Sequence, residues 1–522
     1  MTRGGPVRSG NGEAAPETEL KLRVSPRHRR EALAALRAIA GSRRGATRQL
    51  VASYYDTPSL DLWQQCIALR LRREGRRWLQ TLKGGGSAVS GVHRRIEIEA
   101  PIAGPEPDLS RLPRHPLTRV LRRRDVAEAL APVFGADIVR TLFLLEPAPG
   151  VVVEAAFDCG VLRSGRRREP VCEIELELKS GPLPALFALA RQLAERLPIT
   201  LEHRSKAERG YALYRDGIAP PSKAVPVTLS PGMSAGQAFH AIAAASLAQV
   251  QANEHGAANA DDPEYLHQMR VGLRRLRSVF RLFGDRLGED VQSHDEALRT
   301  IAAALGPARE WDVLVTETLP AMPDQPAQAD LLAVCEQQRR KARSRSKKSI
   351  KTNTYNESML ALGHWLVEPS TGSGAAWQEP AAAVAAHILA GCHARVLKRG
   401  RRLSSRTPAE LHRLRIAVKR LRYAVEFFTD LFQVKAMARQ RRLLAELQDI
   451  LGFINDAAAV EALLAVARQN SRRMPGTAAQ AVIDWHLRLA GVQRGKLDSA
   501  WRRFRQAKRP WERPARRLKD VY

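Results

Sequence analysis

The 522-residue sequence is poor in aromatics: Phe, Trp and Tyr together make 5%. That disfavours a surface built to stack many unpaired bases. Cysteine is scarce too, five residues (Cys66, Cys159, Cys172, Cys335, Cys392) with no CxxC pair. This excludes a Cys-based zinc site and fits a reduced cytoplasmic chain in which all five are small core residues. No run approaches the ~20 apolar residues of a membrane helix. The first sixteen residues have no apolar stretch of the kind a signal peptide needs. Acidic residues are the minority charge, 54 against 84 Lys and Arg, giving +30 and a pI near 10.8. Such an excess predicts a polyanionic partner. Hydrophobic residues, at 44%, suffice for ordinary cores, and the length predicts two or three domains.

The two halves differ. Residues 1–220 carry a net +12 and residues 221–522 a net +18. Between them, Asp216 to Met233 holds four prolines and reads as a linker. The first half alternates with period two at Glu17–Arg23, Leu69–Arg72, Trp78–Lys83, Arg95–Glu99 and Glu173–Lys179, which predicts strands. Pro26–Ala40, Pro116–Ala131 and Pro182–Leu197 read as helices. The second half is Ala-, Leu- and Arg-rich with helical periodicity, and it repeats itself. Leu266-His-Gln-Met-Arg-Val-Gly-Leu-Arg-Arg-Leu-Arg-Ser-Val-Phe-Arg-Leu-Phe283 returns 145 residues later as Leu411-His-Arg-Leu-Arg-Ile-Ala-Val-Lys-Arg-Leu-Arg-Tyr-Ala-Val-Glu-Phe-Phe428. Each copy is followed by a Leu-Gly pair, Leu305-Gly306 and Leu451-Gly452, so a helical unit is duplicated. Val367–Glu379 is the expected connector. The expected organisation is a flexible segment 1–15, a strand-rich domain 16–216, a linker 217–232, a helical domain 233–508 with repeats near 235–366 and 380–508, and a basic tail 509–522.

Residues i, i+2 and i+4 of a strand share a face. Glu17, Glu19 and Lys21 therefore project together, as do Arg70 and Arg72, then Arg95, Glu97 and Glu99, then Glu173, Glu175 and Glu177 with Lys179. The opposite faces are Leu and Ile. A solvated outer face with cross-strand ion pairs explains any one such strand. Five in one domain point instead to a barrel whose charged faces turn inward. Glutamates bind hard divalent cations through oxygen, and Arg and Lys clamp phosphate oxygens. A lumen holding both suits a metal–polyphosphate, with metal-assisted attack by water.

The order of these motifs resembles the CYTH, or triphosphate tunnel metalloenzyme, superfamily. Glu17-x-Glu19-x-Lys21 is similar to its ExExK signature. Tyr54-Tyr-Asp-Thr57, Leu69-Arg-Leu-Arg72, Thr81-Leu-Lys83, Arg95-x-Glu97-x-Glu99, Asp158-Cys-Gly160, Glu173-x-Glu175-x-Glu177 and Ser205-Lys206…Gly210-Tyr211 follow in order. The resemblance implies an eight-stranded antiparallel tunnel that hydrolyses or cyclises triphosphates with Mg²⁺ or Mn²⁺. It implies Glu17 and Glu19 as ligands of one metal. Glu173 and Glu175 would hold a second metal or position water, with Asp158 as metal ligand or orienter. Lys21, Arg70, Arg72, Lys83, Arg95, Arg140 and Lys206 would form the triphosphate clamp, and Glu97, Glu99 and Glu177 would line the tunnel. Glu173, Glu175 and Lys21 are the expected catalytic set. A hairpin turn is the alternative for Asp158-Cys-Gly160, and Tyr54–Thr57 reads as structural.

At 100° per residue, His267, Arg270, Arg274, Arg277 and Arg281 form one stripe beside the apolar stripe of Leu266, Met269, Leu273, Leu276 and Phe280. The second copy repeats it with His412, Arg415, Lys419 and Arg422. Arg275 and Arg420 are expected to point further out. One such helix would be a solvated face. Two copies with the same four offsets predict an anion-binding groove. This half resembles the CHAD domain, which implies two pseudo-symmetric four-helix bundles binding inorganic polyphosphate without catalysis. Arg339–Lys351 reads as a solvated basic helix or an extension of the groove. No DNA-reading element such as a helix-turn-helix is evident.

The expectation is an α+β tunnel domain followed by an all-α domain, in a cytoplasmic triphosphatase associated with polyphosphate-rich bodies. No specific nucleic acid or membrane partner is expected. A thiamine- or nucleoside-triphosphatase, an adenylate cyclase, or a non-catalytic polyphosphate-binding protein are the alternatives.

Overall fold

The computed structural model describes residues 17–512 apart from 90, 324–325, 369–373, 402 and 404–405. The segment 1–15, residues 513–522 of the basic tail, and Pro369 and Gly372 of the expected connector lie outside the described residues. The chain divides into two compact units, one within Met1–Pro220 together with Met359–Glu368, the other within Pro221–Ser358 and Pro369–Tyr522.

The first unit is built on nine strands: β1 (Glu17–Val24), β2 (Arg43–Asp56), β3 (Ile67–Glu74), β4 (Arg77–Val89), β5 (Val92–Ile102), β6 (Ala131–Ala148), β7 (Val151–Ser164), β8 (Arg167–Ser180) and β9 (Ile199–Leu201). They pair antiparallel in the order β5-β4-β3-β2-β6-β7-β8-β1. Pairing of β1 with β5, at Glu17 opposite Arg95, closes an eight-stranded barrel. β9 extends β1 at Leu22–Val24. The five strands read from alternation are all present. β2, β6 and β7 are added, and these are the long ones. Asp158 and Gly160 lie inside β7, not in a hairpin turn. Gly160 is required there because a Cβ would sit 2.0 Å from the Asp137 carbonyl oxygen of β6.

The apolar faces turn outward and are covered. Leu69, Leu71, Leu82 and Ile98 pack under Val120, Leu121 and Val126. That cover is not the single helix expected over Pro116–Ala131. It consists of 3₁₀ turns at Pro116–Thr118 and Val120–Arg122, a short helix at Arg124–Glu128, and then β6. Pro26–Ala40 is likewise a 3₁₀ turn followed by α1 (Arg29–Arg37). α2 (Asp61–Gln64) and α3 (Pro184–Ala194) follow, and α4 (Lys206–Tyr214) ends the unit.

α4 sets the depth of the lumen. Ser205 and Glu208 form its capping box, each side chain reaching the other's backbone N–H. Tyr211 packs with Tyr54, Phe134, Ala136, Ile138 and Leu162, residues that share the inward parity of β2, β6 and β7. The Tyr211 hydroxyl donates to Asp56 at 2.8 Å. Asp56 also accepts from the backbone N–H of Thr57, Leu62 and Trp63, which confirms a structural role for Tyr54–Thr57. One mouth of the barrel is therefore filled by apolar packing and the rest of the lumen is left charged.

The second unit holds α5 (Ala235–Asn259), α6 (Pro263–Leu282), α7 (Asp290–Val313), α8 (Gln328–Ile350), α9 (Ala381–Arg399), α10 (Pro408–Phe427), α11 (Val434–Asn470) and α12 (Gly476–Gln506). α5–α8 and α9–α12 are the two four-helix repeats, and α6 meets α10. The duplicated helices start alike, with a capping Asp262 or Thr407 followed by Pro at the first position. Contrary to the reading of the sequence, α11 has an 18-residue window of mean hydropathy 1.8, apolar enough to cross a membrane by composition. Here α11 packs against α10 and α12.

Three further expectations are corrected. Cys66 is exposed, because the chain turns there with φ +56° before β3. Cys159 is only partly buried. Arg275 does not point outward; it is 3% exposed, since α10 of the other repeat covers it.

Gly210 in α4 faces the Phe134 ring, which a Cβ would meet at 2.0 Å. Gly210→Ala is expected to cost roughly 1–3 kcal/mol by overpacking, seen as a lower urea midpoint. An unchanged midpoint would contradict the seating of α4 in the barrel mouth.

Candidate active site and basic groove

Inside the barrel, acids and bases neutralise one another. Asp158 and Glu173 sit opposite on β7 and β8, and Glu175 follows one rung on. Oxygens of these three carboxylates lie within 4.8 Å of one another. Lys206, in the first turn of α4, reaches all three: Glu173 at 2.5 Å, Asp158 at 2.7 Å and Glu175 at 3.0 Å. Arg140 of β6 grips Asp158 at 2.7 and 2.6 Å and Glu175 at 2.6 Å. Lys21 lies against Glu175 and, at 2.9 Å, Glu19.

The other side of the lumen follows the same pattern. Lys83 bridges Glu17 at 2.8 Å and Glu97 at 2.9 Å. Arg70 stands 3.6 Å from Glu97 and donates to Thr81 at 3.3 Å. Arg72 meets Glu74 at 2.8 Å and Glu99 at 3.4 Å. Arg95 is held instead by Glu208 of α4 at 2.9 Å. Glu177 pairs with Lys179 at 2.5 Å. Among the expected tunnel residues, Asp158, Glu173, Glu175, Lys21, Arg140 and Lys206 thus come together as one cluster. Glu17, Glu97, Lys83 and Arg70 form a second.

Burial opposes charge on both signs, and here the partners win. Burial works against the Lys21 and Lys206 ammonium groups, yet Glu175 and Glu19, and Asp158 and Glu173, raise their pKa values. Burial would also raise Glu175 and Asp158, but Lys206 with Lys21 and Arg140 holds both below the usual carboxylate range. Lys21, Lys206, Asp158 and Glu175 are thus each held in the charged form. Glu177 behaves differently: burial, with Glu17 and Glu154 nearby, raises its pKa. Three converging carboxylates are the hard oxygen donors that Mg²⁺ or Mn²⁺ prefers, so Asp158, Glu173 and Glu175 fit a divalent cation.

Two residues were missed by reading the sequence. Arg209, 1% exposed, donates to Glu173 and Glu169 at 2.7 and 2.8 Å and to the Pro170 carbonyl at 2.8 Å. It grips Glu173 from behind the lumen. Its only sequence signal was its place one turn after Lys206. His93, opposite Glu19 on β5, is fully buried; burial, then Lys21 and Arg95, push its pKa down to about 4, so the ring is neutral.

In the helical unit the two basic stripes face one another. Lys419 is depressed to about 8 by burial and by Arg415 of its own helix and Arg274 of the other repeat. Arg270 donates to the Ala302 carbonyl at 2.7 Å, lying over Gly306; Arg415 lies over Gly452 in the same way. The Leu-Gly pairs thus leave room for these guanidinium groups. Asp456 is 3.4 Å from Arg415, and His412 bonds Asn455 at 2.5 Å. Burial, then Arg309, lowers the His267 pKa. Arg277 is used by Asp295 at 2.8 Å and Arg422 by Gln448 at 2.8 Å. Arg339 and Arg343 of α8 are paired with buried Asp312, at 2.7 and 3.5 Å, so the Arg339–Lys351 run is partly structural.

Arg209→Met would leave Glu173 and Glu169 without their buried partner. It is expected to destabilise the first unit by roughly 3–5 kcal/mol, whereas Arg43→Met, at the exposed pair with Glu146, should change stability little. Denaturant titration of both variants checks this, and equal midpoints would contradict it.

Comparison with known proteins places these two units. The family model of the CYTH domain matches residues 15–211, and that of the CHAD domain matches residues 241–465. An inorganic triphosphatase of Haemophilus influenzae is 36% identical over 163 residues, 31% of this chain and 45% of that protein. The chain therefore spans less than half the length of that relative. The crystal structure of the CHAD domain from the plant Ricinus communis is 32% identical, with a TM-score of 0.51, and the match covers 56% of this chain and 98% of that one. The chain belongs to the CHAD family and carries a CYTH domain ahead of its helical repeats.

Proposed function

We propose that the barrel is a metal-dependent triphosphatase acting on inorganic triphosphate, and that the helical unit binds inorganic polyphosphate. The observation that carries the first part is the Asp158–Glu173–Glu175 cluster, covered by Lys206, Arg140 and Lys21. The likeness to the Haemophilus influenzae triphosphatase supports the same substrate class.

Asp158, Glu173 and Glu175 would hold a divalent cation, with Glu17 and Glu19 as a further pair of carboxylates across β1. Once bound, the cation neutralises charge on the phosphate oxygens. Lys21, Arg140 and Lys206, with Lys83 and Arg70, would bind and orient the triphosphate. Arg209, bonded to Glu173 at 2.7 Å, would hold that carboxylate in place when Lys206 is bound to phosphate. Both cysteines of the β7–β8 pair, Cys159 and Cys172, fall on the outward parity, so water is the proposed nucleophile. No aromatic pocket for a nucleobase or thiazole was evident, which favours inorganic triphosphate over the nucleotide and thiamine alternatives.

Phosphate release by the full chain with Mg²⁺ or Mn²⁺ tests the substrate. Inorganic triphosphate should exceed ATP and thiamine triphosphate at equal concentration. Release from none of the three would leave a polyphosphate-binding protein. Glu19→Gln should lower release by roughly 10²–10³-fold with an unchanged circular dichroism spectrum. Full activity with normal metal dependence would remove Glu19 from the site.

For the groove, Lys419 gives a pH signature. Its ammonium is present below about pH 8 and lost as pH rises through that value. Binding that needs the charge should weaken about tenfold between pH 7 and pH 9 by linkage. Lys419→Arg should abolish that fall. A polyphosphate affinity independent of pH in the unmodified chain would exclude Lys419 from the binding set.

A further inference from the structure

The duplication relates residue n of the first copy to n + 145 of the second, so Arg275 corresponds to Arg420 and Arg281 to Glu426. Arg275 is neutralised across the repeats by the Glu426 carboxylate, and its guanidinium lies 4.9 Å from the centroid of the Phe427 ring. The symmetric counterpart of that contact would bring Arg420 to position 281. An arginine stands there in place of the carboxylate. Arg281 shares Asp295 with Arg277, and only at 3.8 Å against 2.8 Å.

Arg420 is half-buried. Burial first, then Arg395, Arg281 and Arg399, depress its pKa against an opposing contribution from Cys392. Arg395 and Arg399, which act on Arg420, also line a cavity of about 440 Å³ together with Lys398, Arg406, Glu410 and Arg413. The one carboxylate in that lining, Glu410, is engaged by Arg406 and by the Thr407 backbone N–H. Among the described residues no ion pair joins a carboxylate to Arg395, Lys398, Arg413 or Arg420. Arg399 donates to the Arg413 carbonyl, which fixes its guanidinium at the rim.

A solvated basic face explains Lys398 and Arg399, which also oppose the dipole at the end of α9. It does not explain Arg420, half-buried among guanidinium groups with the symmetry-related carboxylate missing. Arg281 belongs to the groove stripe of α6, but the rest of this cluster stands off the groove. On α10, Arg413 and Arg420 lie roughly 130° round from the centre of the His412–Arg415–Lys419–Arg422 stripe.

We infer that Arg420, Arg281, Arg395 and Arg399, with the adjoining cavity, form a second anion site for a compact, multiply charged oxyanion of the phosphate or diphosphate class. The anion supplies the negative charge that Glu426 supplies at the related position. It is either a free ion or the end of a polyphosphate chain.

Arginine-directed dicarbonyl footprinting of the full chain, read by mass spectrometry, tests this. Diphosphate at ten times its Kd should slow modification of Arg395 and Arg420 by about tenfold. Arg281→Glu restores the missing carboxylate, so it should remove the protection and raise the melting temperature. Arg468→Glu, of equal charge change on α11, should leave protection intact, as should the groove variant Lys419→Gln. Protection by diphosphate assigns the free ion. Protection by long polyphosphate alone, retained in Lys419→Gln, assigns the chain end. Three results would overturn the site: no protection by either anion, unchanged protection in Arg281→Glu, or protection lost equally in Lys419→Gln.

Discussion

The barrel depends on an exchange of charge inside its lumen. Lys206 touches Asp158, Glu173 and Glu175 at once, while Arg140 and Lys21 take the remaining oxygens. A buried ion cluster of this kind is costly to assemble and is stable only while each charge has a partner. The fold supplies the geometry from three directions: β7 and β8 set the carboxylates, β1 and β6 set two bases, and α4 brings the third. The capping box at Ser205 and the packing of Tyr211 in the barrel mouth hold Lys206 at that point. Under the proposed function a cation and a polyanionic substrate would replace these pairs together, because each would satisfy the groups that the other displaces.

The helical unit solves a different problem with the same currency of Arg, Lys and carboxylate. Duplication gives two stripes that face each other, and burial, then Arg415 of the same helix and Arg274 of the other repeat, depress Lys419. Several of the remaining arginines are structural. Arg339 and Arg343 neutralise buried Asp312, Arg277 takes Asp295, and Arg275 takes Glu426. Among the described residues, Arg274 and Lys419 on the stripes, and Arg420, have no carboxylate in an ion pair with them.

Much of this was legible in the sequence, and the failures have physical causes. Five strands announced themselves because Glu, Lys and Arg alternate with Leu and Ile. β2, β6 and β7 did not, because their inward faces carry Tyr54, Ala136, Ile138 and Leu162 to receive α4, so the run of lumen-side charges that marked the other strands is missing there. The Pro116–Ala131 stretch looked helical because its apolar residues all cover β3–β5, which short 3₁₀ turns achieve as well as a helix. Arg275 looked exposed because one helix wheel cannot show the helix that crosses it from the other repeat. Arg209 carried no signal beyond its place one turn after Lys206, and only its contacts with Glu169 and Glu173 reveal its task.

The central claim is that cation and substrate displace the lumen's ion pairs together. Calorimetric titration of Mn²⁺ into the full chain, with and without non-hydrolysable imidotriphosphate, measures this directly. The account predicts that the anion tightens Mn²⁺ binding by about tenfold or more, with the same reciprocal gain for the anion. Mn²⁺ affinity unaffected by the anion would contradict it.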